Sequence, residues 1–246
     1  MPGTLIFTAT YNEALNIGDL VRLIHQHAPH ADALVVDDNS PDGTGEILDQ
    51  LREEFPMLTV HHRPGKMGLG SAHLLAFEYA IEHHYDQLIT MDADFSHNPA
   101  YIPALIGKLQ DVDFVIGSRY VDGGQLDYGF FRTVLSMTAN RLTRLMLHIP
   151  LMETTTSFRA FRVDVLNRMN LDSVKSDGYS FFVESLFYLS LVTKNMTEIP
   201  IHFEDRRSGQ SKISHQEIIK AVFTLFRLAW IRRPRFRAET KLKRTE

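Results

Sequence analysis

The 246-residue chain contains no cysteine and no long uncharged apolar run. The absence of cysteine excludes disulfide scaffolds, cysteine-based zinc sites and thiol nucleophiles. Spanning a bilayer takes about 18 apolar residues or more. The nearest candidate, residues 218–231, is shorter and contains Lys220 and Arg227, which argues against a membrane span. No basic and apolar leader pattern precedes the apolar segment at residues 4–8, so we expect a protein that is not exported.

The common glycine-rich nucleotide motifs are also missing. Gly65, Gly68 and Gly70 follow a GxxGxG spacing, which matches neither the dinucleotide fingerprint nor the P-loop. A helix start at which glycine permits close packing explains these residues better. The twelve histidines include no HExxH pattern, so a zinc-protease site is not predicted either.

Charge is distributed unevenly along the chain. The whole chain carries −4, but from Arg206 onward twelve Lys or Arg stand against three Glu, a net charge of +9 that leaves −13 on residues 1–205. A basic C-terminal segment that follows an acidic N-terminal part favours an anionic surface or phosphate groups as the partner. The basic tail contains no groove-reading or base-stacking module, so we do not expect nucleic acid as a partner.

Short apolar runs alternate with amphipathic stretches over the first 120 residues. This alternation predicts an α/β fold with a mostly parallel sheet flanked by helices. The predicted strands are residues 5–8, 33–36, 58–61, 87–91 and 114–116, and the predicted helices are 17–28, 45–54, 70–84 and 101–108. After Gly124 the pattern becomes mostly helical, with one further strand predicted at 197–203, and no Pro/Gly/Ser linker marks a second domain.

Polar residues gather directly after the predicted strands, where ligands bind in sheets of this kind. Asp92 and Asp94 flank Ala93 after the fourth strand. Mg²⁺ is usually held by one or two protein carboxylates together with substrate phosphate oxygens, and this loop can supply the protein's share. Turn formation or helix capping by aspartate is the alternative, and the short pattern does not decide between them. His97 lies close by in sequence and is expected to face solvent or to support the site from behind the ligands rather than to bind metal.

A second acidic cluster occupies residues 37–44. Like charges this close repel one another unless cations or donor groups occupy them. Asp38 is a candidate for contacts with the ribose or base of a nucleotide. Asp42 and Thr44 are better explained as the start of the next helix.

Several cations stand beside turn or small residues rather than along a helical stripe: Arg119, Arg132, Arg159, Arg206 and Lys212. Such side chains suit phosphate oxygens, although a surface role is open for each of them. Residues 205–212 combine Gly and Ser with two of these cations, which predicts a flexible loop that can close over a bound diphosphate.

Residues 218–231 form an amphipathic pattern in which polar side chains recur every three or four positions. Trp230 stands near its end, and four arginines follow between residues 232 and 237. The combination predicts a helix that lies in a membrane interface over residues 214–237. Packing on the protein core or against a partner subunit is the alternative.

The ordered series of motifs resembles the polyprenyl-phosphate (dolichyl-phosphate) mannose synthases, a branch of the family 2 glycosyltransferases with the GT-A fold. The resemblance runs along almost the whole chain. The motifs are Thr10-Tyr11-Asn12-Glu13, Val36-Asp37-Asp38-Asn39-Ser40-Pro41-Asp42-Gly43-Thr44, Gly68-Leu69-Gly70, Met91-Asp92-Ala93-Asp94-Phe95-Ser96-His97, Gly117-Ser118-Arg119-Tyr120, Ala139-Asn140, Ser157-Phe158-Arg159, Gly178-Tyr179-Ser180-Phe181, Glu198-Ile199-Pro200-Ile201 and Asp205-Arg206 to Ser211-Lys212.

The resemblance implies transfer of mannose from GDP-mannose to a polyprenyl phosphate, with inversion of the anomeric centre, by a cytoplasmic protein peripheral to the cytosolic face of a membrane. It implies Mg²⁺ or Mn²⁺ at Asp92 and Asp94. The catalytic residues would be Asp94, Arg119, Arg132 and Arg206, with Arg132 toward the acceptor phosphate. The donor contacts would be Ala9, Tyr11, Glu13, Val36, Asp38, Asp92, Ala93, Asp94, Arg119, Arg206 and Lys212.

The implied organisation is a GT-A domain over residues 1–212, followed by an amphipathic helix and basic tail at 213–246. Within the domain, residues 1–122 would form the nucleotide-sugar half and 123–212 the acceptor half. The tail would contact the membrane.

The chain departs from the family pattern at several positions. Ala9 stands where the family usually has Pro, and Phe182 stands where it usually has Gln. The family's Asp-x-Thr-Ser-Gly-Phe-Arg appears as residues 153–159 with Glu153, Thr156 and Ser157 in place of Asp, Ser and Gly. Two alternatives therefore stay open: the same fold acting on another nucleotide sugar or acceptor, and a non-catalytic, nucleotide-binding subunit associated with a membrane.

Overall fold

The computed structural model describes residues 3–127, 129–204 and 215–232, without the side chains of residues 130–132 and 215–218. The strands are Thr4–Thr10 (β1), Asp32–Asp37 (β2), Leu58–His62 (β3), Gln87–Asp92 (β4), Phe114–Ser118 (β5), Gln125–Leu126 (β6), Arg159–Arg162 (β7), Met196–Pro200 (β8) and His202–Phe203 (β9). A seven-stranded sheet forms the centre of the fold, with strand order β3-β2-β1-β4-β7-β5-β8, and β6 and β9 pair in a small second sheet.

The central sheet is parallel except at β7. Strand β1 pairs in parallel with β2 and with β4, and β5 pairs in parallel with β8. Strand β7 lies between β4 and β5 and is antiparallel to both. The carboxyl ends of β1, β2, β4 and β5 therefore open on the same edge of the sheet, and the residues that follow them are brought together.

Helices cover both faces of the sheet because successive residues of a strand point to opposite sides. The helices are Ile17–His27 (α1), Thr44–Glu54 (α2), Leu69–Glu82 (α3), Ile102–Lys108 (α4), Phe130–Leu147 (α5), Val163–Arg168 (α6), Tyr179–Val192 (α7) and His215–Ile231 (α8). In β1, Leu5 and Phe7 pack into one core with α3, α6 and α7, whereas Ile6 packs into the other core with α1, α2 and α4. No helix within the described part of the chain is both long and apolar enough to cross a membrane.

The structure confirms the first five predicted strands and the first four predicted helices to within a few residues. Of the helix predicted over 214–237, α8 accounts for His215–Ile231, while residues 214 and 233–237 lie outside the described residues. Three interpretations of the second half were wrong, and one of them was the omission of the two-residue strand β6. Strand β7 was missed because it has only four residues, and the two arginines at its ends hide the apolar signal. The single strand predicted at 197–203 is two strands, because the chain leaves the central sheet after Pro200 and residues 202–203 pair with β6 instead.

Candidate active site

A cavity of about 490 Å³ opens at the carboxyl edge of the sheet. Its polar end contains Ala9 near the end of β1 and Glu13 after it, residues 92–94 at the end of β4, and Arg119 after β5. The fold thus brings together six of the residues that the sequence assigned to donor binding. They come from three separate strand ends.

Asp94 is held in a tight turn after β4. Phe95, the next residue, has a φ of 64°, a left-handed conformation that costs a bulky residue about 1–3 kcal/mol. The turn lets Ser96 donate to Asp94 Oδ1 from its backbone nitrogen at 3.1 Å and from its hydroxyl at 2.6 Å. The Asp94 carboxylate is therefore fixed in a buried position at the cavity wall.

Asp92 is held from two sides, by Ser157 in the loop that precedes β7 and by His97 in the loop that follows β4. The Ser157 hydroxyl donates to Asp92 Oδ1 at 2.6 Å, and the Asp92 backbone N–H donates to His97 Nδ1 at 3.1 Å. Burial lowers the pKa of His97, which favours the neutral ring. Its proton then lies on Nε2, which donates to Thr156 Oγ1 at 2.9 Å. Of the two roles predicted for His97, the solvent-facing one is wrong, because the residue is buried; its ring holds the Asp92 backbone instead.

Arg119 reaches the cavity as half of a buried ion pair. Its Nε donates to Glu153 Oε2 at 2.8 Å, and its Nη2 lies 2.7 Å from the same oxygen. The Phe203 ring stacks on the guanidinium at 4.6 Å from its centroid. Glu153 also accepts hydrogen bonds at Oε1 from the backbone nitrogens of Thr154 and Thr155, so both carboxylate oxygens are used.

Three further predicted donor contacts, Asp38, Tyr11 and Val36, lie at or just after the ends of β1 and β2. The Asp38 carboxylate is buried against the Arg63 guanidinium and also accepts from the backbone nitrogen of Met67 at 3.2 Å. Tyr11 is partly exposed, with Lys66 Nζ 4.3 Å from the centre of its ring. Val36 is completely buried in β2.

Asp42 has a structural role at the start of α2. It accepts from the hydroxyl of Thr44 at 2.6 Å and its backbone nitrogen at 3.1 Å, and from the Ala14 backbone nitrogen at 3.0 Å. Gly70, the second residue of α3, is structural too, as predicted. A Cβ on Gly70 would lie 2.9 Å from the Ser176 carbonyl oxygen, which is too close for any side chain.

Arg159 is not one of the cations in the cavity. Its guanidinium is buried and donates to the carbonyl oxygens of Thr154, Thr156 and Phe182. Burial lowers its pKa to about 9. This arginine therefore fixes the loop at 153–157, which in turn holds Arg119 and Asp92.

The helices that line the cavity contribute mainly apolar side chains, together with a few hydroxyl groups such as Ser136 and Thr224. Helix α5 contributes Leu135 and Leu142, α7 contributes Phe182, and α8 contributes Val222 and Leu225. One cavity thus combines carboxylates and a guanidinium at the sheet with aliphatic and aromatic walls between helices.

The donor groups at the sheet edge fit a hard divalent cation. Asp92 and Asp94 offer carboxylate oxygens, the ligands that Mg²⁺ and Mn²⁺ prefer. Within the described residues no three His, Cys, Asp or Glu side chains lie close enough to hold a metal by themselves. A cation here would need further oxygen ligands, which a substrate diphosphate can supply.

Three predicted site residues cannot be placed in this cavity. Arg132 belongs to α5, but its side chain is outside the described residues, as are Arg206 and Lys212 altogether. Their roles stay predictions.

The sequence interpretation assigned no contacts to Glu153 and Ser157 beyond noting that they depart from the family motif. Their partners lie 34 and 65 residues away, so no local pattern pointed to them. The apolar wall of α5 did have a signal, because Leu135, Ala139 and Leu142 recur at helical spacing.

Comparisons with known proteins agree with this geometry. A family model described as Glycosyl transferase family 2 matches residues 5–169. The undecaprenyl-phosphate mannosyltransferase of Micrococcus luteus is 38% identical over 224 residues, which cover 91% of this chain and 92% of the relative. The polyprenol monophosphomannose synthase of Mycolicibacterium smegmatis is 39% identical over 223 residues, with 89% and 84% covered.

A solved structure shows the same fold at low sequence identity. The glucosyl-3-phosphoglycerate synthase of Mycobacterium tuberculosis, crystallised with Mn²⁺, UDP and glucosyl-3-phosphoglycerate, has a TM-score of 0.66 and 15% identity. The match covers 95% of this chain and 82% of that one. The chain therefore belongs to glycosyl transferase family 2 and is a glycosyltransferase with the GT-A fold, as its ordered motifs predicted.

Proposed function

We propose that this chain transfers mannose from GDP-mannose to a polyprenyl phosphate, with a divalent cation at Asp92 and Asp94. The observation that carries the proposal is the two-sided character of the cavity, which has carboxylates and Arg119 at one end and apolar helix walls at the other. A lipid phosphate has the same two-sided chemistry. The names of the two relatives, an undecaprenyl-phosphate mannosyltransferase and a polyprenol monophosphomannose synthase, support this acceptor class.

Donor chemistry supports the same proposal. A synthase of the same fold was crystallised with Mn²⁺ and UDP, so this fold is compatible with binding a nucleotide diphosphate together with a divalent cation. Bound at Asp92 and Asp94, Mg²⁺ or Mn²⁺ would act as a Lewis acid that stabilises charge on the departing diphosphate. Arg206 and Lys212 would add positive charge from the loop at 205–212.

The acceptor needs little activation. The second pKa of a phosphate monoester is near 6, so at neutral pH it is already an anionic nucleophile. The main task of the protein is then to hold two anionic phosphates close together in a productive orientation. Arg119, fixed by Glu153 and Phe203, presents a rigid cation for this purpose, and Arg132 on α5 would face the acceptor phosphate. A single in-line displacement inverts the anomeric carbon.

The same proposal includes a membrane position. Helix α8 exposes apolar side chains outside the cavity, among them Phe223 at 72% and Phe226 at 62% exposure, and α5 exposes Leu145 at 65%. These faces, with the basic tail, would rest on the cytosolic side of a membrane that holds the acceptor. Residues 1–122 would form the donor half, 123–212 the acceptor half and 213–246 the membrane contact.

A transfer assay on the purified full chain tests the proposal. With Mg²⁺ or Mn²⁺ we expect mannose to pass from GDP-mannose to a polyprenyl phosphate. Asp94→Ala should lower the rate at least about a hundredfold, the size of loss seen when one group that stabilises developing charge is removed. Asp164→Ala removes an exposed carboxylate on α6 and should leave the rate unchanged.

Two other results would contradict parts of the proposal. Use of a UDP-sugar with no use of GDP-mannose would overturn the donor assignment. Absence of transfer with every nucleotide sugar, together with intact GDP binding, would favour the non-catalytic subunit instead.

A further inference from the structure

Ser157 places a buried hydroxyl group directly against one of the two carboxylates of the proposed cation site. Its side chain is 1% exposed and donates to Asp92 Oδ1 at 2.6 Å. Asp92 is one of the two carboxylates proposed to hold the cation, and it follows β4, whereas Ser157 precedes β7. The contact therefore joins two strands that run in opposite directions.

The Ser157 backbone is anchored on both sides of the hydroxyl. The Thr90 hydroxyl donates to the Ser157 carbonyl oxygen at 2.5 Å, and Arg159 Nε donates to the Thr156 carbonyl oxygen at 2.7 Å. Thr156 also accepts from His97, which in turn accepts from the Asp92 backbone nitrogen. Because these bonds fix the loop, the Ser157 backbone keeps its place beside Asp92, and the hydroxyl can move only by rotation about χ1.

A carboxylate group turns easily about its last torsion, which has no sharp minimum. Groups that hydrogen-bond to a metal ligand restrict this rotation and set the orientation in which the ligand meets the cation. A hydroxyl at 2.6 Å from one Asp92 oxygen restricts it in this way. The second carboxylate, Asp94, is restricted similarly by Ser96 from within its own turn.

We propose that Ser157 is a positioning residue for the cation and diphosphate: its hydroxyl sets the orientation of the Asp92 carboxylate. The inference rests on the proposed function, since it takes Asp92 as part of the cation site. It assigns a role to a residue at which this chain departs from its family motif. Ser157 need not touch the substrate or the cation.

The test measures Mn²⁺ binding to the full chain in the presence of GDP by electron paramagnetic resonance, without any turnover. We expect Ser157→Ala to weaken Mn²⁺ binding about 10–100-fold, the usual loss when a group behind a metal ligand is removed. The matched control is Ser190→Ala. Ser190 is equally buried, but its hydroxyl donates to the Phe187 carbonyl oxygen of its own helix, so Mn²⁺ affinity should stay at the wild-type value.

The outcomes separate this inference from the proposed function. Wild-type affinity in Ser157→Ala, or an equal loss in Ser190→Ala, would overturn the role of Ser157. Asp94→Ala should abolish binding whatever Ser157 does. If Asp94→Ala binds Mn²⁺ normally, or if the wild-type chain with GDP does not bind it, the cation site itself is wrong and the inference falls with it.

Discussion

Glu153 and Arg119 form an ion pair whose side chains are 0% and 6% exposed. Removing one member of a buried pair leaves the other charge without compensation, which typically costs 3–5 kcal/mol. We therefore expect Glu153→Ala to lower the free energy of unfolding by about 3–5 kcal/mol in denaturant titrations. Glu54→Ala is the control, because the Arg22–Glu54 pair is more than half exposed and should cost less than about 1 kcal/mol. Equal losses in the two variants would show that the Arg119 pair contributes no more than a surface contact.

His73 is buried between the rings of Phe7, Phe181 and Phe182. Its Nδ1 lies 2.9 Å from the Leu69 carbonyl oxygen, and its Nε2 has no hydrogen-bond partner within the described residues. Burial lowers the pKa of this histidine from 6.5 to about 4. The folded protein therefore keeps the ring neutral at pH values where the unfolded chain protonates it.

This difference predicts a loss of stability in mild acid. Between pH 6.5 and 4 the unfolded state binds more protons than the folded state, so the free energy of unfolding falls as the pH is lowered. From pH 7 to pH 5 the contribution of His73 should be a loss of about 2 kcal/mol. His73→Leu should lack this part of the pH dependence in urea titrations at the two pH values. Parallel pH profiles for the variant and the wild type would contradict the prediction.

At the scale of single elements, α8 has two apolar faces with different tasks. One face packs on the protein through Leu228, and two polar contacts secure it there: Arg227 Nη2 lies 2.6 Å from Glu184 Oε1, and Arg232 donates to the Leu147 carbonyl oxygen. The opposite face leaves large apolar side chains exposed. The amphipathic pattern indicated an apolar face, but only the packing shows which part of it the protein itself covers.

The exposed face gives a prediction for membrane binding. The double variant Phe223→Asp, Phe226→Asp should lower binding to anionic phospholipid vesicles at least about tenfold, because burying each Phe contributes about 1.5–3 kcal/mol. Cosedimentation of the full chain with vesicles measures the effect. Leu191→Asp is the control, since this residue is partly exposed at the end of α7 remote from the cavity. Unchanged cosedimentation of the double variant would argue that the exposed face serves another partner.

At the scale of the whole molecule, the sheet order decides which residues meet. Strands β1 and β4 are neighbours, and β7 enters between β4 and β5 from the second half of the chain. That insertion brings Glu153 and Ser157 to Arg119 and Asp92. The proposed donor and acceptor halves therefore share one sheet, and the catalytic edge is assembled from both.

The sequence by itself determined the α/β class, the first five strands and the position of Asp92, Asp94 and Arg119 at strand ends. These features depend on local periodicity and on the rule that ligands bind at the carboxyl edge of a parallel sheet. Asp42 was also interpreted correctly, because its partner Thr44 lies two residues away, whereas the burial of His97 against Thr156 was not predicted.

Only the tertiary structure shows which residues hold the site residues in position. The pairing of Glu153 with Arg119, the Ser157 hydroxyl on Asp92 and the burial of Arg159 against loop carbonyls all join residues distant in sequence or depend on complete desolvation. Neither a contact between distant residues nor complete desolvation of a side chain produces a periodic pattern in the sequence. Likewise β7 is too short and too polar at its ends to be seen as a strand, since it is stabilised by its two neighbours rather than by its own propensity.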